Sequence, residues 1–284
     1  MCIRDSIRSL RHLEQWTRPD IATALNVLSS FQANPGRQHH RELMFLLSYV
    51  NNTRNLALNY GATCNPAAKQ MGHDVSGPLS CFVDADWGTE KETRRSRTGY
   101  VFFSNNGPVA WRSRLQVTQA LSTCEAEFTA ASDAACMNAY LRFMQHDIQE
   151  VIEQGELKYN APTKCWGDLS KEDFDPLQLP RVFSEAELPI MRARLEKRAP
   201  PTTFHEDNMG AISTANNPTL HDRMKHVDIR WHRLRSFISI KQLRMLFCPT
   251  DDQLGDCMTK NLNIIKFYRF RPCMVQPTMT PPLT

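Results

Sequence analysis

The sequence predicts an α/β protein: a five-stranded sheet flanked by helices, its first three strands antiparallel, with a small helical fragment at the N-terminus. Three observations lead there. Between Leu79 and Arg112, three strand-like runs follow one another on tight turns, the pattern of a meander. From Ser122 the apolar period changes to that of a helix, with Cys124, Phe128, Ala131, Ala135 and Ala139 on one stripe, residues small enough to lie close on a sheet. Two further strand-like runs, Thr202–Asp207 and Leu243–Cys248, are each followed by helical segments.

The chain has 284 residues, enough for one large domain, or for one domain and a smaller piece. Its hydrophobic content of 41% is lean yet sufficient for a core, and its net charge of +4 is mild. The basic residues cluster, with seven Lys or Arg against one Asp between Arg223 and Arg244. Nine cysteines, without a Cys-x-x-Cys pair or tight even spacing, argue for reduced thiols in an intracellular setting and against a disulfide framework. No apolar run approaches the ~20 residues of a membrane span, and no signal-peptide core is visible.

Taken in order, residues 1–6 show no periodicity. Thr17-Arg-Pro-Asp20 opens a helix, with Pro early and an acid in the first turn, and Ile21, Ala24, Leu25, Leu28 and Phe31 form its stripe. Asn34-Pro-Gly36 stops it. A second helix spans His39 to Val50, and Leu56–Tyr60 reads as a short strand. Residues 1–62 look too small to stand alone, and so read as a truncated neighbour of the main domain. Residues 63–78 read as a linker and 79–271 as the main domain, with an insertion at about 152–201. Asn106-Gly107 marks the hairpin turn between the second and third strands. His226–Ile240 reads as a basic helix with Val227, Trp231, Leu234 and Ile238 inward, and residues 272–284 as a disordered tail. Trp87, Trp111 and Trp231 are expected in the core.

The stretch Leu79–Gly88 breaks a rule. Period-2 alternation puts Ser80, Phe82, Asp84 and Asp86 on one face of a strand and Cys81, Val83 and Ala85 on the other. A buried strand that ends in carboxylates is costly unless something pairs with them, and a site is expected at such a conflict. Further acids stand at the start of the long helix (Glu125, Glu127), the end of the fourth strand (Glu206, Asp207) and the last helix (Asp252, Asp256). In an α/β sheet, strand ends and helix starts converge on one edge, where ligands bind. Carboxylates gathered there repel unless cations neutralise them, and hard oxygen ligands suit Mg²⁺ or Mn²⁺. Two such ions about 4 Å apart stabilise the attacking and leaving oxygens of phosphodiester cleavage. Helical periodicity alone does not choose between Glu125 and Glu127.

Six segments, in order, resemble the ribonuclease H region of copia-type retrotransposon Pol polyproteins: Asp84-Ala-Asp-Trp, Arg94-Arg-Ser-Arg-Thr-Gly-Tyr-Val-Phe, Leu121-Ser-Thr-Cys-Glu-Ala-Glu-Phe, Glu206-Asp-Asn, Lys225-His-Val-Asp-Ile-Arg-Trp-His and Asp252-Gln-Leu-Gly-Asp-Cys-Met-Thr-Lys. Thr17-Arg-Pro-Asp-Ile resembles the segment just past the reverse transcriptase core of the same polyproteins. The resemblance implies a ribonuclease H-like mixed sheet, antiparallel in its first three strands and then parallel. It places the catalytic, metal-holding acids on Asp84, Glu127, Asp207 and Asp256, with two Mg²⁺ or Mn²⁺ ions. The implied substrate is the RNA strand of an RNA–DNA hybrid, and the implied partner is the reverse transcriptase domain of the same polyprotein, at work in the cytoplasm (in a virus-like particle) or the nucleus.

For the hybrid's phosphates and sugars the candidate contacts are Arg94, Arg95, Arg97, Ser122 and Asn208, the last two also helix caps. The Tyr-x-Asp-Asp motif of a polymerase is absent, and no His lies between Cys248 and Asp256. His221, His226 and His232 lack zinc-site spacing. The rival reading is an inactive retroelement remnant that keeps the fold and binds nucleic acid. All four acids are in place, which favours the enzyme.

Overall fold

The computed structural model describes residues 3–61, 64–90, 92–154, 200–217 and 228–278. Its strands are β1 (Leu56–Ala57), β2 (Ser80–Asp86), β3 (Arg97–Ser104), β4 (Gly107–Leu115), β5 (Thr202–Glu206), β6 (Leu243–Phe247) and β7 (Gln276–Pro277). Five of them form the main sheet in the order β4-β3-β2-β5-β6. β2, β3 and β4 pair antiparallel; β5 then joins β2, and β6 joins β5, in parallel. This is the mixed sheet expected from the sequence. The hairpin between β3 and β4 turns on Asn105 and Asn106, both at positive φ (51° and 71°), the left-handed geometry that matches strand twist and that Asn tolerates.

The alternation along β2 sorts the two cores. Cys81, Val83 and Ala85 face α5 (Thr123–Gln154) and pack with Phe128, Ala131 and Ala135. α6 (Met209–Asn216) and α7 (Asp228–Ser239) complete this layer through Ile212, Ala215 and Leu234. Phe82, Val101 and Phe103 face the other way, against α8 (Asp256–Thr259) and α9 (Ile264–Met274), through Cys257, Met258, Phe270 and Cys273. Each of the buried phenylalanines contributes roughly 1.5–3 kcal/mol. Val227 and His221 lie outside the described residues, as does most of the expected insertion (155–199).

The N-terminal segment forms α1 (Ile3–Trp16), a 3₁₀ turn at Pro19–Ile21, α2 (Ala22–Ser30) and α3 (Arg37–Asn52). It has its own cluster of Ile7, Leu10, Ile21, Leu25, Leu28, Leu43 and Leu46. α1 was not foreseen, although Ile3, Ile7 and Leu10 already stand at helical spacing. The segment also packs on the sheet. Ala22 joins the core around Phe82, the Thr23 hydroxyl donates to the Cys257 carbonyl at 2.6 Å, and the Trp111 indole donates to the Glu14 carbonyl at 2.8 Å.

Within residues 63–78, read as a linker, Pro66–Gln70 is a short helix (α4), and Ala68 and Val75 are buried in the sheet's second core. Asn65 ties three parts together: its Oδ1 accepts from the Ala68 amide, and its Nδ2 donates to the carbonyls of Asn106 (3.0 Å) and Cys273 (2.9 Å). The expected disorder from residue 272 is not found up to 278. α9 runs through Pro272 to Met274, Cys273, Met274 and Val275 are buried, and β7 pairs antiparallel with β1. Residues 279–284 lie outside the described residues. Among the described residues, no helix is long and apolar enough to cross a membrane.

Candidate metal and catalytic site

Register brings the acids together. β2 and β5 pair in parallel from Ser80↔Thr203 to Phe82↔His205, so Asp84 stands level with Asp207, just past the end of β5. α5 starts over the same edge and supplies Glu127 from its first turns. One carboxylate oxygen from each of Asp84, Glu127 and Asp207 lies within 4.8 Å of the other two. Asp84 and Glu127 are buried and Asp207 is half-buried. Glu127 Oε2 is sealed from solvent and has no hydrogen-bond partner. Asp256, 2% exposed at the start of α8, joins the group through a lysine: Lys260 Nζ lies 3.2 Å from Asp84 Oδ1 and 2.6 Å from Asp256 Oδ1.

The acids that the sequence left in competition take different places in the structure. Glu125 turns back to its own helix end, its Oε2 accepting from the Leu121 amide (2.7 Å) while Ser122 Oγ accepts from the Glu125 amide (3.1 Å), a reciprocal cap. Glu127, two residues on, is left for the cluster. Glu206 is fully buried under α5, with Oε1 accepting from the Asn208 amide, while Asp207 reaches the cluster. Asp252 pairs with Arg269 at 2.5 Å, outside the group. Asp86 is half-buried two residues beyond Asp84 and lines a cleft with Glu90, Glu92, Arg97 and Thr259, whose hydroxyl reaches Asp84.

Charge crowding shows in the proton affinities. Burial pushes the Asp84 carboxyl up to about 7; Lys260 and the Thr259 hydroxyl pull against this, and Asp256 and Asp207 add to it. Burial, then Glu206, Asp84 and Asp207, hold Glu127 well above the ordinary range, and Glu206 is raised by burial and Asp84. Asp84 and Asp256 keep the Lys260 ammonium above its usual value despite partial burial.

Several residues that hold the site were not singled out from sequence. Gln253 is fully buried where β2 and β5 part; its amide donates to the carbonyls of Val83 (3.0 Å) and His205 (3.1 Å), and its Oε1 accepts from the Gly255 amide. It thereby fixes the start of α8 against the strand that carries Asp84. Gly99 and Gly255 let α8 approach. A Cβ at Gly99 would lie 2.5 Å from Thr259 Cγ2 and 2.6 Å from Met258 Cβ, and one at Gly255 would lie 2.9 Å from Asp84 Cβ. The Thr259 hydroxyl donates to Asp84 Oδ2. The signal available was position: all five residues, Lys260 included, sit inside the segments quoted for the family resemblance.

The substrate-side residues scatter. Arg94 is exposed at a left-handed turn position (φ 53°). Arg95 Nη2 donates to the Val117 carbonyl at 2.7 Å. Arg97 is buried and donates to Asn26 Oδ1 on α2, so its guanidinium is committed inside the fold. Asn208 caps α6 by accepting from the Ala211 amide. Trp87, expected in the core, is 47% exposed and donates to the Ala120 carbonyl. The strand ends at Asp86, so the residue after it has left the sheet. Trp111 is half-buried, and the side chain of Trp231 lies outside the described ones.

No protein-family model and no solved structure matches the chain. Over 263 residues, 92% of this chain, it is 28% identical to the retrovirus-related Pol polyprotein from transposon TNT 1-94 of Nicotiana tabacum. Over 267 residues, 94% of this chain, it is 26% identical to that from transposon RE1 of Arabidopsis thaliana. It spans 15% and 14% of the length of those two polyproteins. A shorter stretch of 129 residues, 45% of this chain, is 38% identical to secreted RxLR effector protein 161 of Plasmopara viticola and covers 83% of it. With similarity running along more than nine-tenths of its length, the chain is similar to one region of the retrovirus-related Pol polyproteins of copia-type transposons.

Proposed function

We propose that the chain is a metal-dependent endonuclease that hydrolyses the RNA strand of RNA–DNA hybrids, the ribonuclease H region of its polyprotein. The observation that carries this reading is the convergence of Asp84, Glu127 and Asp207 within 4.8 Å, with a buried, unpartnered Glu127 oxygen among them. The donor set fits a small hard cation. Around octahedral Mg²⁺, adjacent oxygens are about 3 Å apart and opposite ones about 4.2 Å, spacings that three oxygens within 4.8 Å of one another can reach by drawing in on an ion. Asp84, Glu127 and Asp207 would hold one ion, and Asp84 with Asp256 a second. Such ions, when bound, supply Lewis acidity at the phosphate and a readily deprotonated water.

The chain's own residues do the rest. Gln253 and the two glycines hold α8 on β2, keeping Asp256 beside Asp84. Thr259 orients the Asp84 carboxylate. Arg94 and Arg95, with the helix-capping Ser122 and Asn208, are the proposed contacts to the hybrid, whose RNA strand is distinguished by its 2′-hydroxyls; Arg97 serves the fold. The reverse transcriptase domain of the same polyprotein is the proposed partner in holding that hybrid. The test is Mg²⁺-dependent cleavage of an end-labelled RNA–DNA hybrid, with Asp84→Asn alongside. Cleavage by the parent and none by the variant is expected. Equal cleavage by both would mean the site lies elsewhere, and none by either, with the fold intact, would favour the inactive remnant.

A further inference from the structure

The four acids are not equally open to a cation. Asp256 has both oxygens engaged by ammonium groups, Oδ1 by Lys260 and Oδ2 by Lys266, each at 2.6 Å. Asp84 Oδ1 faces Lys260, and its Oδ2 accepts from Thr259. On the other side, among the described residues no Lys or Arg pairs with Glu127 or Asp207, and Glu127, 6% exposed, keeps a buried oxygen without a partner. The cluster therefore has an open half, Glu127–Asp207–Asp84, and a filled half, Asp84–Asp256, where an ammonium already sits between two carboxylates.

We propose that Lys260 is a built-in stand-in for the second divalent ion. The chain takes one ion firmly at Asp84, Glu127 and Asp207, and a second enters between Asp84 and Asp256 only by displacing the Lys260 ammonium. The side chain can do this. It is 33% exposed, and its four-carbon stem lets the point charge swing outward without moving α8. Lys266, from α9, remains on the far oxygen of Asp256 and keeps that carboxylate in place. Lys260 thus acts as a positioning and gating residue: it neutralises the paired carboxylates while the second ion is away and sets the ion concentration at which the pair fills. The inference rests on the nuclease reading of the same site.

Mn²⁺ titration of the full chain by calorimetry, with electron paramagnetic resonance at two equivalents, tests it. The parent is expected to bind one ion, with a second at least about ten-fold weaker. Lys260→Met should tighten the second step by about ten-fold or more and show a spin-coupled Mn²⁺ pair at two equivalents, whereas Lys260→Arg, which keeps the charge, should retain the weak second step. Thermal melts of both variants check the fold. Two equal sites in the parent, or a second step indifferent to Lys260→Met, would overturn the role of Lys260 while leaving the nuclease reading intact. No ion bound by the parent or by Lys260→Met would overturn both.

Discussion

Two glutamates two residues apart show how far single side chains decide this site. Glu125 caps its own helix and Glu127 joins the cluster, so their substitutions should separate. Glu125→Ala is expected to cost about 1 kcal/mol in urea denaturation, with hybrid cleavage retained. Glu127→Gln is expected to leave the melt near that of the parent and to reduce cleavage by at least about 10²-fold. Gly99→Ala should fail differently, because its Cβ would meet Thr259 and Met258 and push α8 off β3. About 1–3 kcal/mol of stability should be lost, and Mn²⁺ affinity with it, since Thr259 and Asp256 ride on that helix. Strand ends and helix starts made an acidic edge legible but left Glu125 beside Glu127 and Glu206 beside Asp207, and the choice of Asp84, Glu127, Asp207 and Asp256 came from the family resemblance. Gln253, Lys260 and the glycines were not legible, because their work is contact across the sheet, and that appears only once strands from distant parts of the chain are paired.

At the level of elements, the main sheet was readable because period-2 alternation and the Asn-Gly turn are local signals, and both cores sort as the pleat of β2 requires. What was not readable was how the flanking segments attach. Short stretches such as Pro66–Gln70 and Gln276–Pro277 carry too little periodicity to announce themselves, and their order comes from tertiary contacts such as those of Asn65. The N-terminal helices are the largest case. Arg18 and Asp20, side chains 5% and 0% exposed, form a 2.7 Å ion pair that Tyr49 and Thr53 complete, locking the turn before α2 to α3. Asp20→Ala would strand the Arg18 charge, and unfolding should show a loss of about 3–5 kcal/mol. Because α2 touches α8 through Thr23 and Cys257, the same variant should also weaken Mn²⁺ binding. Unchanged ion affinity would show that the N-terminal helices are bystanders to the site.

For the molecule as a whole, the buried acids link folding, pH and metal. Asp84 titrates near 7 in the fold and, once unfolded, near its ordinary value of 3.8. Between those values the unfolded chain has already released this proton and the folded chain has not. Stability of the metal-free protein therefore falls as pH rises from about 4 to about 7, and the Asp84 contribution levels off above that. Glu127 and Glu206, raised by burial and by neighbouring acids, extend the fall to higher pH. A divalent ion reverses the balance, because it binds the deprotonated carboxylates and adds stability in proportion to its occupancy of the folded state. The rise in melting temperature produced by Mg²⁺ should accordingly be larger at pH 8 than at pH 6, and binding at pH 6 should release protons that calorimetry in buffers of different ionisation enthalpy can count. In Asp84→Asn the Mg²⁺-dependent rise should shrink at both pH values. A rise of equal size at both pH values in the parent would mean that the ions bind away from these carboxylates.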